Sequence, residues 1–269
     1  MKKIIIYVAG LLIIGVFCLW VFLFEPYHIQ TRTIDIGLKN VSLQAQELKI
    51  VQISDIHFKT FNRLPRKLIE MLTRLKPDYL LITGDIINWD VKDLEGLKDF
   101  LHNLNNVPIK KTFAVFGNHE YLSRKFHIIE GILNDSGIEF LHNRNVFLDE
   151  EINLVGVDDP HLELDDLAAA TKGIQVDFPT ICLAHSPEIF SRFNIKNSLV
   201  LSGHTHGGQI GIPFLVNLIS PLRHDKVYLR GLFEKEESTL YVNQGIGTTF
   251  IPIRLNSFPE ITIVELKEK

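Results

Sequence analysis

Histidines and acidic residues stand in short polar segments of this chain, and their spacing is suited to binding metal ions. Asp55 and His57 are separated by one residue, as are His204 and His206 in the glycine-rich segment SGHTHGGQ, residues 202–209. In an extended segment, residues i and i+2 point to the same side, so each pair can present both side chains to one ion. The alternative is a polar turn that happens to be rich in histidine, and the rest of the chain decides between the two.

Further polar residues follow other apolar runs that have the length and composition of buried strands. Five such runs end beside side chains able to bind a metal: Asp55 and His57 after KIVQIS, Asp85 after YLLIT, Asn118, His119 and Glu120 after TFAVF, His185 after TICLA, and His204 and His206 after SLVLS. The ligand crevice of an open α/β sheet lies at the carboxyl ends of its strands, so these residues are expected to converge. The glycines in GD, GN and GH would let the backbone turn sharply and approach the site closely.

Strand-like and helix-like patterns alternate from residue 47 onward. The runs LKIVQIS, DYLLITG and TFAVFG are separated by helical patterns over residues 64–75 and 94–104. From residue 138 the apolar runs come closer together, as INLVGV, TICLAH, NSLVLSG, KVYLRG, STLYVN and EITIVEL, which indicates a second sheet with hairpins. The predicted fold is α/β, a two-sheet α/β/β/α sandwich.

The N-terminal residues differ in kind from the rest. Residues 4–24 carry no charge and approach the ~20 residues that a helix needs to cross a bilayer. We therefore predict a transmembrane anchor over residues 1–24, a connector with an edge strand over 25–46, and one folded domain over 47–269. A cleaved signal peptide is the alternative, but its apolar core would be about 7–15 residues long.

The charges that flank this apolar run predict its orientation. Lys2 and Lys3 precede it, and the first basic residue after it is Arg32. The positive-inside rule then places the N-terminus in the cytoplasm and the body of the protein outside it.

Composition narrows the class of protein. The chain has 269 residues, of which 46% are hydrophobic, which is enough for a sizeable core. Its formal net charge of -4 disfavours a dedicated nucleic-acid binder. The two cysteines, Cys18 and Cys182, give no disulfide framework.

The series D-x-H, GD, GNH followed by an acidic residue, a lone histidine and GHTHGGQ resembles the motifs of the calcineurin-like metallophosphoesterases. The segments GHTHGGQIGIPF and NQGIGTTFIPIRLNSFPEI look like the membrane-anchored bacterial branch of that superfamily, and the resemblance extends over about residues 48–266. It implies one metal ion held by Asp55, His57, Asp85 and His206, and a second held by Asp85, Asn118, His185 and His204. Asp85 would bridge the two ions.

This ligand set has definite chemical consequences. Two carboxylates, one amide and four neutral imidazoles bring a charge of about −2 to two divalent ions, so the cavity would be positive, attract a phosphoryl group and acidify water. Ligands without thiolate suit Mn, Fe or Zn, and the share of oxygen favours Mn.

The resemblance also implies a catalytic role for His119. It would face the substrate, either as general acid to the leaving oxygen or as donor to a non-bridging oxygen. Many relatives orient this histidine with an aspartate three residues after the bridging one, and Asn88 stands there in this chain. An amide can accept the same hydrogen bond but stabilises an imidazolium less.

Several residues give weaker signals. Asp158, Asp159 and His161 could line the crevice, but a helix cap is the favoured interpretation. Arg223 is a candidate substrate-binding residue because a guanidinium offers a bidentate fork to phosphate, and a surface-loop role, shared with His224, is its alternative. The apolar residues 210–222 suit either core packing or a lip that admits acyl chains. The remaining histidines are expected to be structural or exposed: His28, His102, His127 and His142.

We therefore expect a membrane-anchored dinuclear enzyme that hydrolyses a phosphodiester or pyrophosphate, with a lipid or envelope precursor as candidate substrate. A phosphomonoesterase and a cyclic nucleotide phosphodiesterase are alternatives within the superfamily, and a nuclease fits poorly with an acidic, membrane-anchored chain. One resembling branch cleaves the pyrophosphate of a UDP-linked diacylglucosamine, which would require a cytoplasmic body. An inactive tethered scaffold is the non-enzymatic alternative, and the complete ligand set argues against it.

Overall fold

The computed structural model describes residues 1–212 and 227–269. Within these ranges the chain forms two six-stranded sheets. In spatial order the first sheet contains β1 (Gln30–Leu38), β12 (Glu260–Glu268), β2 (Ile50–Ile53), β3 (Tyr79–Thr83), β4 (Lys111–Val115) and β5 (Glu139–Phe140). The second contains β10 (Gly231–Lys235), β11 (Ser238–Val242), β9 (Ser198–Ser202), β8 (Thr180–Leu183), β7 (Ile152–Gly156) and β6 (Arg144–Leu148).

The described α-helices are α1 (Lys2–Leu19), α2 (Leu43–Glu47), α3 (Arg63–Leu75), α4 (Leu94–Asn105), α5 (Asn118–Leu122), α6 (Phe126–Asn134) and α7 (Leu167–Ala170). Strands β2, β3 and β4 are parallel, as are β7, β8 and β9. Their carboxyl ends therefore lie at one edge of each sheet. The outer pairs β6–β7 and β10–β11 are antiparallel, which agrees with the predicted hairpins.

Successive side chains of a strand point to opposite faces of its sheet, and this alternation forms the layers of the sandwich. Leu80 and Ile82 of β3 pack against α3, α4 and α6, whereas Tyr79 and Leu81 pack against apolar residues of the second sheet. The second sheet turns residues such as Cys182 outward, toward a short helical turn that contains Phe190. The central strands β2, β3, β7, β8 and β9 are buried on both faces, so their sequences are apolar runs rather than alternating ones. The predicted α/β/β/α sandwich is confirmed.

One buried polar side chain fixes the ends of the two sheets relative to each other. The Gln52 amide on β2 donates to Thr83 Oγ1 on β3 and to the Ser202 carbonyl on β9, each at 3.0 Å. A buried amide costs free energy unless it is hydrogen-bonded, so these contacts favour one register of the two sheets. The site lies directly beyond these residues.

One strand prediction is wrong. The run KVYLRG was expected to form a strand, but its described residues 227–230 form turns and bends, and β10 starts at Gly231. Gly231 has φ +86°, and its partner in β11 is Val242. The chain thus bends at this glycine and enters the sheet only there. The other predicted strands, and the helices predicted over 64–75 and 94–104, are present.

Of the helices in the described ranges, one is long and apolar enough to cross a membrane. It comprises α1 and the two helical turns that follow it, Trp20–Phe24 and Glu25–Tyr27, and so extends over Lys2–Tyr27. Its mean hydropathy is 2.8, and 6% of its most apolar window is buried. The edge strand β1 follows it and pairs in parallel with β12. The apolar helix is therefore followed directly by a strand of the first sheet.

Candidate metal centre

The predicted site residues come together at the carboxyl ends of both sheets. Asp55, Asp85 and Asn118 follow β2, β3 and β4 of the first sheet, and His185 and His204 follow β8 and β9 of the second. Asn118 is partly exposed, and the others are buried. The expectation that distant segments converge at the strand ends is confirmed by this placement.

Asp85 lies at the centre of the cluster. Its Oδ2 is 3.5 Å from His57 Nε2, 3.4 Å from His185 Nε2 and 3.9 Å from His119 Nε2. Its other oxygen, Oδ1, accepts a hydrogen bond of 2.9 Å from the backbone N–H of His119. One carboxylate thus faces imidazoles that come from both sheets.

Asp55 organises the other half of the cluster. Its Oδ1 is 3.4 Å from His206 Nε2 and 3.8 Å from His57 Nε2, and these two imidazole nitrogens are 2.9 Å apart. On the opposite side, His185 Nε2 is 3.0 Å from His204 Nδ1 and 3.2 Å from Asn118 Oδ1. The ring nitrogens therefore converge in two groups, one on each side of Asp85.

The backbone of these residues is unusual. Five non-glycine residues of the site have φ between 46° and 69°: Asp55, His57, Asp85, His204 and His206. This left-handed region is rarely occupied by side-chain-bearing residues and costs of order 1–3 kcal/mol each. Such conformations persist where the surrounding structure over-determines them, which is typical of functional sites.

The glycine before Asp85 is required by close approach. Gly84 has φ +87°, and a Cβ added there would lie 2.6 Å from His185 Nδ1 and 2.8 Å from the Gly117 nitrogen. No side chain larger than hydrogen fits without moving a ligand candidate. The expectation that the glycines allow close approach is confirmed here.

Burial and charge set the protonation of the cluster. Burial lowers the pKa of His206 to about 3 and that of His204 well below its ordinary value. Burial opposes a charge on His185 too, but the Asp85 carboxylate outweighs it and raises the pKa of His185 well above its usual range. Burial alone would raise the pKa of Asp55 and Asp85, yet the neighbouring imidazoles hold both pKa values below their ordinary range.

The donor set fits divalent transition-metal ions. Potential ligand atoms lie within 4.8 Å of one another in three overlapping groups: Asp55–His57–His206, His57–Asp85–His119 and Asp55–Asp85–His185. Among the atoms that the structure describes, the buried His204 Nε2 and His57 Nδ1 have no hydrogen-bond partner. Carboxylate, amide and imidazole donors without thiolate are suited to Mn, Fe and Zn.

His119 is oriented differently from the sequence-based expectation. Its Nδ1 accepts a hydrogen bond of 3.2 Å from the backbone N–H of Trp89. Asn88 instead donates through Nδ2 to Asp90, and its buried Oδ1 has no partner among the described residues. The Asn88 amide, which could have accepted a bond from this ring, does not do so, because the backbone N–H of the next residue reaches the ring nitrogen. Burial, only partly offset by Asp85, lowers the pKa of His119 to about 4.

Three residues of the segment before β12 hold His206 and were not predicted to do so. Thr249 Oγ1 is 2.9 Å from His206 Nε2, and Ser257 Oγ donates to the His206 carbonyl at 2.6 Å. Arg254 is fully buried, and its Nη2 is 3.4 Å from His206 Nδ1. The available signal was an arginine inside an otherwise apolar segment, FIPIRL, residues 250–255.

The structural role of Glu120 was not predicted either, although the sequence had marked this residue as able to bind a metal. Its buried carboxylate accepts backbone N–H bonds from Asp85 at 3.0 Å, Ile87 at 3.0 Å and Gly117 at 2.8 Å. It thereby joins the loop after β3 to the loop after β4. The sequence signal is a glutamate three residues after Gly117, the capping-box spacing at the start of α5.

A cavity of about 440 Å³ opens onto the metal-binding candidates. Asp85, His119 and His206 line its polar side, whereas Phe250 and Ile251 line its apolar side. A pocket with convergent polar groups and an apolar wall is the usual form of a small-molecule site. The arrangement can therefore bind a phosphoryl group next to an apolar moiety.

The weaker sequence signals separate into three groups. Asp159 caps a helical turn by accepting from the N–H groups of His161 and Leu162, as the favoured interpretation had it, and the His161 ring also lines the cavity. Asp158 bonds Tyr121 and His142, which gives that histidine a structural role. The remaining predictions lie outside the described residues: Arg223, His224 and most of the apolar stretch 210–222.

Comparison with known proteins agrees with this geometry. The profile of the calcineurin-like phosphoesterase family matches residues 48–208. The chain belongs to this family, and it is a metal-dependent phosphoester hydrolase whose His/Asp cluster forms a dinuclear divalent-metal site.

Three relatives illustrate the similarity. The chain is 29% identical over 305 residues to UDP-2,3-diacylglucosamine pyrophosphatase LpxG of Chlamydia muridarum, covering 91% of this chain and 92% of that protein. It is 32% identical over 235 residues to phosphodiesterase YaeI of Escherichia coli, covering 82% and 83%. It is 33% identical over 252 residues to a transmembrane protein with metallophosphoesterase domain of Bos taurus, covering 86% of this chain and 55% of the bovine protein.

Proposed function

We propose that this protein is a membrane-anchored hydrolase of a phosphodiester or pyrophosphate bond in a lipid or cell-envelope precursor. The observation that carries the proposal is the convergence of Asp55, Asp85 and the imidazoles beside a cavity that has an apolar wall and is lined by Asp85, His204 and His206. The relatives LpxG and YaeI support the bond type, because their names describe a pyrophosphatase and a phosphodiesterase.

We assign the ligands as the sequence motifs predicted. Asp55, His57 and His206 form one side of the site, and His185, His204 and Asn118 form the other. Asp85 lies between the two groups and would bridge the ions. Mn is the proposed metal, with Fe and Zn as alternatives, because oxygen donors contribute a large share of the set.

His119 is the proposed catalytic residue. Because the Trp89 N–H points at Nδ1, the proton of the neutral ring lies on Nε2, which faces the cavity. Nε2–H would donate to an oxygen of the phosphoryl group while a water oxygen bonds to phosphorus and the bond to the leaving oxygen breaks. One water proton leaves with the leaving oxygen and the other with the phosphate product. Divalent ions at the site supply Lewis acidity toward the phosphoryl oxygens and the attacking water.

The membrane part of the proposal rests on the N-terminal helix. Its side chains from Ile4 to Leu19 are exposed or nearly so, as expected for a lipid-facing segment. We propose that it anchors the chain by a single pass, with the N-terminus in the cytoplasm and the body outside. The bovine relative, named a transmembrane protein, is compatible with anchoring.

The test is hydrolysis of simple aryl phosphates by the purified full chain in detergent. We expect Mn²⁺-dependent hydrolysis of bis-p-nitrophenyl phosphate, loss of activity with a chelator, recovery when Mn²⁺ is restored, and slower hydrolysis of p-nitrophenyl phosphate. Faster hydrolysis of the monoester would favour the phosphomonoesterase alternative, and inactivity toward both in metal-loaded protein would favour the scaffold.

A further inference from the structure

Two exposed apolar residues lie at the mouth of the metal cavity. Phe250 and Ile251, which we call the apolar tip, are 89% and 52% exposed and also line the cavity. Phe250 has φ +53°, a conformation that an aromatic residue rarely adopts. Adjacent exposed apolar side chains at the mouth of a cavity are typical of an interaction surface.

The backbone of the apolar tip is held in place by hydrogen bonds from one side chain, Gln209. The Gln209 side chain donates to the Thr249 and Ile251 carbonyls at 3.1 and 3.0 Å and accepts from the Thr249 N–H at 2.8 Å. Gln209 ends the segment that carries His204 and His206. The position of the tip is therefore fixed relative to the metal site.

The segment that carries the apolar tip also contacts the end of the apolar helix. The Arg254 N–H donates to the Val21 carbonyl at 3.1 Å, and the Glu25 carboxylate accepts from the Ser257 N–H at 2.7 Å. Pro252, next to the tip, lines one cleft together with Pro26. Val21 lies three residues before the end of the apolar run, which is roughly 5 Å along a helix. In a membrane, a segment that contacts Val21 reaches the lipid interface.

Basic residues surround the same end of the helix. Lys67 Nζ donates to the Tyr27 carbonyl at 2.8 Å, and the Arg63 guanidinium lies 5.4 Å from the centre of the Tyr27 ring. Lys59 lines the cleft that contains Tyr27. Basic side chains beside an interfacial tyrosine complement the negative surface of an anionic membrane.

We propose that the apolar tip and the basic cluster of Lys59, Arg63 and Lys67 dock onto an anionic lipid surface. The apolar side chains enter the interface and the basic ones meet the headgroups. The mouth of the metal cavity then opens at the lipid surface, where an amphiphilic phosphoester can enter without leaving the membrane. This inference rests on the membrane anchoring in the proposed function.

The depth of a spin label tests the docking. The full chain with Cys18→Ser would be labelled at Phe250→Cys and reconstituted in phosphatidylcholine vesicles containing phosphatidylglycerol; Cys182 is buried. We expect collisions with oxygen to exceed those with an aqueous nickel complex. The matched control is Val176→Cys, which is 87% exposed near the start of β8, at the opposite end from the site. It should collide mainly with nickel.

A third label separates the two proposals. Ile13→Cys lies within the apolar helix and should be immersed in lipid. An aqueous label at 250 together with an immersed label at 13 would overturn the docking alone. An aqueous label at 13 would show that the anchoring has failed. Circular dichroism would establish that each labelled variant is folded.

The basic cluster has its own test. In the Phe250→Cys chain, Lys59→Gln with Arg63→Gln should make the label shallower in anionic vesicles and leave its depth unchanged in neutral ones. Equal depths in anionic vesicles would overturn the role of the cluster.

Discussion

At the scale of single residues, the Asp85 carboxylate has a clear effect on the protonation of the neighbouring imidazoles. Its carboxylate faces imidazoles on both sides and favours the charged form of His185, while burial keeps His204 and His206 neutral. An imidazole must be neutral to bind a metal ion. Metal uptake must therefore displace the proton on His185.

We predict that metal binding releases protons near neutral pH. Because the pKa of His185 is raised, its proton must leave on binding, so Mn²⁺ affinity should rise with pH and fall as the solution is acidified. Calorimetric titrations in two buffers of different ionisation enthalpy would measure the release. About one proton or more per chain is expected, and binding heats that do not depend on the buffer would contradict it.

The backbone contact to His119 leads to a second prediction. If His119 donates as a neutral ring, His119→Ala should keep its metal and lose about two to four orders of magnitude in turnover. The loss should be similar for diesters with p-nitrophenyl and phenyl leaving groups. The matched control is His127→Ala, because the side chain of His127 is 93% exposed.

A loss that is much larger for the phenyl ester would contradict this role and assign His119 as general acid to the leaving oxygen. Unchanged turnover for both esters would remove His119 from the mechanism.

The sequence predicted that the candidate site residues would converge because they follow strands at motif spacings, and the structure brings them together. Asp55 and His57 could be recognised from the pattern alone. Trp89 could not, since it contributes only a backbone N–H, and any residue type supplies one. The left-handed conformations of Asp55 and Asp85 likewise have no single-residue signature.

Among the elements, the segment before β12 supports the site most directly. Arg254 donates to the carbonyls of Gln244, Gly245, Gly247 and Ser257 and contacts His206. Burial lowers its pKa to about 10, so the guanidinium is still charged at neutral pH. This planar fork satisfies several buried carbonyls at once, which a lysine cannot do.

We predict that Arg254→Lys destabilises the fold and weakens metal binding at His206. Each buried carbonyl left without a donor costs about 1–3 kcal/mol, so a total loss of about 3 kcal/mol or more is expected. Urea unfolding and metal analysis would measure both effects. Arg192→Lys is the control, because its side chain is 53% exposed in an ion pair with Asp165.

The account of this segment would be contradicted if both arginine variants lost the same small amount of stability, about 0.5 kcal/mol, and retained their metal.

The helices and strands with strong hydrophobic periodicity could be predicted from the sequence. The pairing of strands that are far apart in the sequence could not. Helices α3 and α4 follow from their amphipathic patterns, and β2, β3 and β4 from their apolar runs. The pairing of β1 with β12 joins strands that are more than 200 residues apart in the sequence, and no local pattern specifies it. β10 begins only at Gly231, because pairing with β11 starts at this residue and does not include the preceding run VYLR.

On the scale of the whole molecule, the apolar helix is joined to the body rather than attached by a loose linker. Glu25 is 1% exposed and bonds both Trp20 and Ser257. The orientation of the helix in the membrane would therefore set the orientation of the cavity.

We predict that a tag placed after Lys269 is digested by protease added to intact spheroplasts. The reason is the charge at the N-terminal end of the helix, Lys2 and Lys3. Lys2→Glu with Lys3→Glu should reduce digestion by reversing part of the population. A tag that is protected in the unaltered chain and digested only after lysis would contradict the proposed orientation.

The most direct test of the whole account is the location of metal ions in crystals of the Mn²⁺-loaded protein, measured by anomalous scattering at the Mn edge. The account predicts two peaks about 3.5–4 Å apart, on either side of the Asp85 carboxylate. One group should include Asp55, His57 and His206, and the other His185, His204 and Asn118. A single peak, no peak, or peaks at another part of the chain would contradict it.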